Sequence, residues 1–127
     1  MKISTKGRYA LRLLLDIAQN QQDGFVSLKE IAERQEVSKK YLEQIVHRLH
    51  GSGILEASRG FQGGYRLARM PAEITLGDVL NASETSGSLM GCIAEGGSCN
   101  RAQACLTRSV WAGLKQAIDA YVNSVTL

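Results

Sequence analysis

Several things are scarce in this 127-residue chain, and each scarcity narrows what it can be. No long apolar run exists: Leu13, Leu14 and Leu15 are flanked by Arg12 and Asp16, far short of the roughly 20 residues that cross a bilayer. The opening Met1-Lys2-Ile3-Ser4-Thr5-Lys6 has no apolar signal region, so the expected location is cytoplasmic, with no membrane partner. Histidine occurs only at 47 and 50, and no acid–base pair or nucleophile–base spacing emerges, which argues against an enzyme. The single proline, Pro71, marks a break near the middle. No internal repeat or low-complexity tract is present. Cysteine is used three times, and all three fall within 14 residues.

That window reads Cys92-Ile-Ala-Glu-Gly-Gly-Ser-Cys99-Asn-Arg-Ala-Gln-Ala-Cys105, loosened by Gly91, Gly96 and Gly97. An odd set of cysteines in a cytosolic chain suits metal or redox chemistry better than a disulfide framework. Thiolates at such spacings hold zinc or an iron–sulphur cluster, or act as a redox pair. All three readings stay open on the cysteines alone.

Apolar residues make up 44% of the chain and charged residues 21%, enough to bury one core. The net charge of +3 conceals an asymmetry. Residues 1–69 hold twelve Lys/Arg against seven Asp/Glu, whereas residues 70–127 hold three against five. A basic front half and a slightly acidic back half suit a polyanion-binding module joined to a sensing or assembly module.

Apolar spacing predicts a first helix from about Thr5 to Gln21, with Leu11, Leu14, Leu15 and Ala18 on its buried face. Ser27 and Glu30 form a capping box for a second helix ending near Gln35, and Ser38 caps a third. In the third, Leu42, Ile45, Val46 and Leu49 make a core stripe. Two short helices across a tight turn, with an earlier supporting helix, make a helix-turn-helix. With that stripe inward, Lys40, Gln44 and His47 face out, beside Lys39 and Tyr41 at the helix start: side chains suited to phosphates and base edges. Strands over 54–58 and 65–67, joined by the glycine-rich segment from Arg59 and Gly60 to Gly64, read as a wing. That segment precedes a strand and lacks the lysine and hydroxyl residue of a P-loop.

After Pro71, Thr75 and Asp78 cap a short helix reaching about Glu84, with Ile74 as a hydrophobic staple. The last helix is expected from near Arg101 or Ala102 to about Ser124, roughly 33 Å long at 1.5 Å per residue. Trp111, Leu114, Ile118, Tyr121 and Val125 follow a heptad seam, read as a dimer interface. The expected fold class is therefore mainly α: a winged helix-turn-helix with a small β-hairpin wing over residues 1–70. Residues 71–127 add the cysteine segment and a long C-terminal dimerisation helix to the same compact unit.

Three blocks, Met1 to Ala10, Ser38 to Gln44, and Arg59-Gly60 to Gly63-Gly64-Tyr65, resemble the bacterial winged-helix regulators of the Rrf2 family, among them IscR, NsrR and CymR. The resemblance spans essentially the whole chain. It implies a homodimeric transcription factor that binds double-stranded DNA at a pseudo-palindromic operator. It implies Ser38, Lys39, Lys40, Tyr41, Glu43 and Gln44 in the recognition helix and Arg59 in the wing. It further implies that Cys92, Cys99 and Cys105 hold an iron–sulphur cluster, 2Fe–2S favoured and 4Fe–4S open. Three departures stand out. Six residues rather than five separate the first two cysteines, and Arg108 occupies the place of the histidine ligand of IscR-like members. The aspartate that NsrR-like members contribute has no counterpart, since Arg8 stands there. Glu95, Ser98, Asn100 and Thr107 are the local candidates for a fourth ligand.

Overall fold

The computed structural model describes residues 3–60, 63–84, 100–101 and 103–127. Five helices and one hairpin follow in order: α1 (Thr5–Asn20), α2 (Leu28–Gln35), α3 (Lys39–Gly51), β1 (Leu55–Ser58), β2 (Gly64–Leu67), α4 (Leu76–Ser83) and α5 (Arg108–Ser124). The hairpin is antiparallel, with Leu55 opposite Leu67 and Ser58 opposite Gly64. The mainly helical architecture with a β-hairpin wing agrees with the sequence reading.

Helix starts are set locally. The Ser4 hydroxyl accepts from the Gly7 amide, Ser38 accepts from Tyr41, and both Ser27–Glu30 and Thr75–Asp78 form complete capping boxes. Each cap satisfies a backbone N–H that the first helical turn leaves without a partner. The core lies where α1, α3 and the hairpin meet. It comprises Ala10, Leu13, Leu14 and Ile17 of α1, all of α3's apolar stripe, and Ile31, Ile54, Leu55, Ile74 and Val79.

Three expectations change. The buried face of α1 is Ala10, Leu13, Leu14 and Ile17, whereas Leu15 is 40% exposed. Three consecutive leucines fit two helical phases, and packing against α3 and α4 selects one. The last helix begins at Arg108 rather than near Arg101, which makes it about 25 Å long. Arg101 and Ala104 instead close a turn, the Ala104 amide donating to the Arg101 carbonyl at 3.0 Å. Leu106 is 93% exposed, so no buried contact rewards an extension of the helix through that stretch. Finally, Val125 lies outside α5, in extended backbone after Ser124. Its carbonyl accepts from the Leu76 amide at 2.8 Å, supplying an acceptor to the first turn of α4.

Among the described residues, the turn between α2 and α3 carries the one non-glycine residue with positive φ, Glu36 at 55°. It is clamped from α1. Arg12 donates to the Gln35 carbonyl at 2.8 Å and to the Gln35 side chain at 3.1 Å. The Gln35 amide donates to the buried Asp16 carboxylate at 2.9 Å, and Arg34 grips that carboxylate at 2.7 and 3.0 Å. Burial pushes the Asp16 carboxyl up. The Arg34 and Gln35 hydrogen bonds and the Arg34 charge overcome that and hold it below the ordinary carboxylate value.

Candidate nucleic-acid interface and cysteine segment

Helix α3 separates its two faces cleanly. Leu42, Ile45, Val46 and Leu49 are at most 2% exposed, while Lys39, Lys40, Glu43, Gln44 and His47 all stand in solvent, with Ser38 exposed at the cap. Tyr41 differs from that row. It is half-buried and packs edge-on against Tyr9, ring centroids 5.8 Å apart, and Arg12 lies 4.7 Å above the Tyr9 ring. Its ring thus helps seat the start of α3 on α1.

Arg59 and Gly60 follow β1 at the root of the wing, both exposed. Gly60 has φ of 104°, a backbone region that side chains disfavour, so a glycine belongs there. The tip residues Phe61 and Gln62 lie outside the described residues. The wing is anchored to the front of α2: Val26 and Tyr65 exchange two backbone hydrogen bonds of 2.8 Å. A side chain at Gly64 would collide with the Val26 carbonyl, so the close approach needs glycine. On the other side His50 Nδ1 lies 3.1 Å from the Leu55 carbonyl, and since a carbonyl only accepts, Nδ1 donates. His50 is therefore a brace between α3 and β1. A cleft of about 610 Å³ opens between the start of α2, α3 and the wing root, with Lys39, Glu43, His50 and Arg59 on its walls. Lys29 and Ser27 also line it. The sequence marks Ser27 only as a helix cap and does not single out Lys29, although Leu28 pointing inward already turns Lys29 to the outside.

The cations of this half divide into two kinds. Arg12, Arg34, Arg48, Arg66 and Arg69 each bond an acceptor elsewhere in the fold, and Arg8 bonds Thr5 of its own helix turn. Lys6, Lys29, Lys39, Lys40 and Arg59 have no ion-pair partner among the described residues, and all but Lys6 lie on α2, α3 or the wing root. The arginines mostly hold the scaffold, and the uncommitted charge gathers on the α3–wing face.

Of the cysteines, Cys92 and Cys99 lie outside the described residues, as do Glu95 and Ser98. Cys105 is half-exposed just before α5, its Sγ 3.4 Å from Thr107 Oγ1. That hydrogen bond, helped by the Thr107 and Arg108 backbone amides and the Arg108 charge, holds the thiol below its ordinary value. A lowered thiol pKa favours the thiolate, the form that ligates metal or is oxidised. Thr107, one of the candidate fourth ligands, is thus beside a cysteine, and Asn100 and Arg108 are exposed. Among the described residues no three His, Cys, Asp or Glu side chains gather to hold a metal ion.

Helix α5 has no buried residue, and Trp111, Leu114 and Tyr121 stand exposed along it, with Ile118 half-buried. No helix among the described residues is long and apolar enough to cross a membrane.

Comparison with known proteins decides the family. The family described as "Rrf2: Iron-dependent Transcriptional regulator" matches residues 3–127. The chain belongs to the Rrf2 family. It is 38% identical over all of its 127 residues to the HTH-type transcriptional regulator IscR of Klebsiella pneumoniae, covering 77% of that protein. Among solved structures it resembles CymR, the global cysteine regulator of B. subtilis, with a TM-score of 0.80 and 34% identity over 99% of this chain and 92% of that one. It also resembles T. potens IscR, with a TM-score of 0.78 and 39% identity over 99% of this chain and 82% of that one. As an Rrf2 protein the chain is a DNA-binding transcriptional regulator and not an enzyme. The winged helix is the family's fold.

Proposed function

We propose that this Rrf2 protein works in the cytoplasm as a homodimer whose grip on a pseudo-palindromic operator is set by an iron–sulphur cluster held by Cys92, Cys99 and Cys105. The observation that carries the DNA half of this reading is the exposed polar row of α3 against its fully buried opposite face. Two recognition helices related by a twofold axis reach successive major grooves about 34 Å apart. Lys39, Lys40, Ser38, His47 and the Arg59–Gly60 wing root serve phosphates and the minor groove. Gln44 suits adenine, Glu43 can accept from cytosine, and Tyr41 reaches the backbone.

The apolar row Trp111, Leu114, Ile118 and Tyr121, left open on a helix with nothing buried, is the surface for the second copy; Val125 lies beyond the helix end. A cluster, when bound, supplies a redox- and iron-sensitive link that orders its ligands. Cys105 fits such a role through its lowered pKa and its place directly before α5. At the other side of the cysteine segment, Glu84 accepts from the Ser4 amide and hydroxyl, both at 2.9 Å, and Arg48 of α3 donates to the Ser83 carbonyl at 3.2 Å. The cysteine segment thus leaves α4 from a point tied to both α1 and the recognition helix. A 2Fe–2S cluster is favoured over 4Fe–4S, with the fourth ligand among Thr107, Asn100, Glu95, Ser98, a water, a small thiol or a residue of the second subunit.

Anaerobic purification with iron and sulphide quantification tests this. Coloured, iron-loaded protein with an operator affinity that changes on cluster loss or on Cys92→Ala is the expected result. Equal operator binding by loaded and stripped protein overturns the sensing role. The half-exposed Cys105 thiol, its pKa lowered by Thr107, favours a second reading, a cluster-free redox regulator in which Cys99 and Cys105 cross-link. That reading predicts colourless protein whose DNA binding responds to oxidant, while zinc in colourless protein that ignores DNA marks an interaction module instead.

A further inference from the structure

A protein that lays a helix in the major groove and a wing in the adjacent minor groove must straddle the sugar–phosphate strand between them. The space between α3 and the wing is therefore where that strand has to run. Here the space is the cleft of about 610 Å³, and its third wall is the first turn of α2. That volume is more than one small ion needs and leaves room for a length of backbone.

Three cations from three separate elements line it: Lys29 of α2, Lys39 of α3 and Arg59 of the wing root. None has an ion-pair partner among the described residues, and Glu43 is the one carboxylate on the walls. Ser27 adds a hydroxyl whose oxygen already accepts from the Glu30 amide at 3.2 Å, which leaves its O–H free to donate outward. The walls are held in register. The paired 2.8 Å hydrogen bonds between Val26 and Tyr65 join the front of α2 to the wing, and the His50 bond to Leu55 joins α3 to it. Lys29 and Arg59 thus sit on one braced frame.

We propose that this cleft is a phosphate seat for the DNA strand dividing the two grooves, and that Lys29, with the Ser27 hydroxyl, is a backbone-positioning group outside the recognition helix. The inference rests on the DNA-binding reading and adds to it a residue from α2. The same phosphate chemistry could come from the duplex or from free phosphate, and the experiment separates them.

Operator affinity is measured as a function of salt for the wild type, Lys40→Ala, Lys29→Ala and Lys29→Arg, each checked for an unchanged melting temperature. The duplexes carry single neutral methylphosphonates stepped along each strand. Lys29→Ala is expected to bind operator and unrelated DNA alike about tenfold more weakly at 0.1 M salt, with a salt slope reduced by about 0.9. Lys29→Arg keeps most of the affinity. One methylphosphonate position, between the contacted major groove and the wing, weakens the wild type but leaves Lys29→Ala indifferent. If the wild type shows no salt-dependent binding, the DNA reading fails. If Lys40→Ala loses slope while Lys29→Ala does not, or if no methylphosphonate is silent in Lys29→Ala, the seat is overturned and the DNA reading stands. Titration of inorganic phosphate alone that is saturable and lost in Lys29→Ala, with a flat methylphosphonate scan, assigns the cleft to a free anion and overturns the proposal.

Discussion

Helices α3 and α5 are both amphipathic, yet their apolar faces meet opposite fates. In α3 the stripe Leu42, Ile45, Val46 and Leu49 is wholly enclosed by α1, α2, α4 and β1. In α5 nothing is buried, although Trp111, Leu114, Ile118 and Tyr121 recur at the same kind of spacing. Among the described residues its main contact with its own protomer is with α4. There Val122 and Asn123 lie against Gly77, and the chain end pairs with the start of α4 through Thr75 and Thr126. Equal patterning therefore does not mean equal use. One helix completes a fold, and the other carries an apolar surface that the protomer leaves uncovered.

The comparison can be broken by substitution. The largest effect is expected from Leu49→Ala, which removes a fully buried side chain and should cost about 2–5 kcal/mol by denaturant unfolding. Asp16→Ala should follow, at about 1–3 kcal/mol, because Arg34 keeps one side in water while the Asp16 and Gln35 bonds are lost. Acid titration of stability sharpens this. The Asp16 pKa is depressed in the folded state, so its contribution is full above the ordinary carboxylate value near 3.9 and is lost as pH falls from there through the lower native value. Asp16→Asn should flatten that acid limb and leave the neutral-to-alkaline range unchanged in slope.

Leu114→Glu tests the other helix. It should shift the sedimentation profile from dimer to monomer while changing the unfolding of the isolated protomer by no more than about 0.5 kcal/mol, the range of an exposed position. A large loss of protomer stability would contradict the contrast. Gln44→Ala should relax preference at one base pair by about 1–3 kcal/mol, read by competition among operator variants, with no change in melting temperature. The smallest effect belongs to Glu36→Gly, which relieves the left-handed backbone at the turn and should stabilise by up to about 1 kcal/mol.

Elements with local causes were legible. Both capping boxes, the α3 stripe and the glycine-rich wing depend on residues within a few positions of one another, and each stands where its sequence places it. The phase of α1 was not, since Leu13, Leu14 and Leu15 satisfy two registers and only the neighbours choose. The start of α5 was missed for a related reason: Ala102 to Cys105 has helix-compatible composition but nothing to bury. The exposed row from Lys39 to His47 could be read from periodicity alone. The internal engagement of Tyr41, the brace at His50 and the Lys29 wall of the cleft could not.

By itself the amino-acid order determined where the capped helices begin and which side of the third helix must stay dry, because caps and apolar period act over one or two turns. Tertiary structure alone decided which charges are used up and which remain. Arg48 meets Ser83 across 35 positions, and Lys29 shares a cleft with Arg59 where Val26 pairs with Tyr65. Such meetings depend on how the chain closes over long separations, and no local rule encodes that closure.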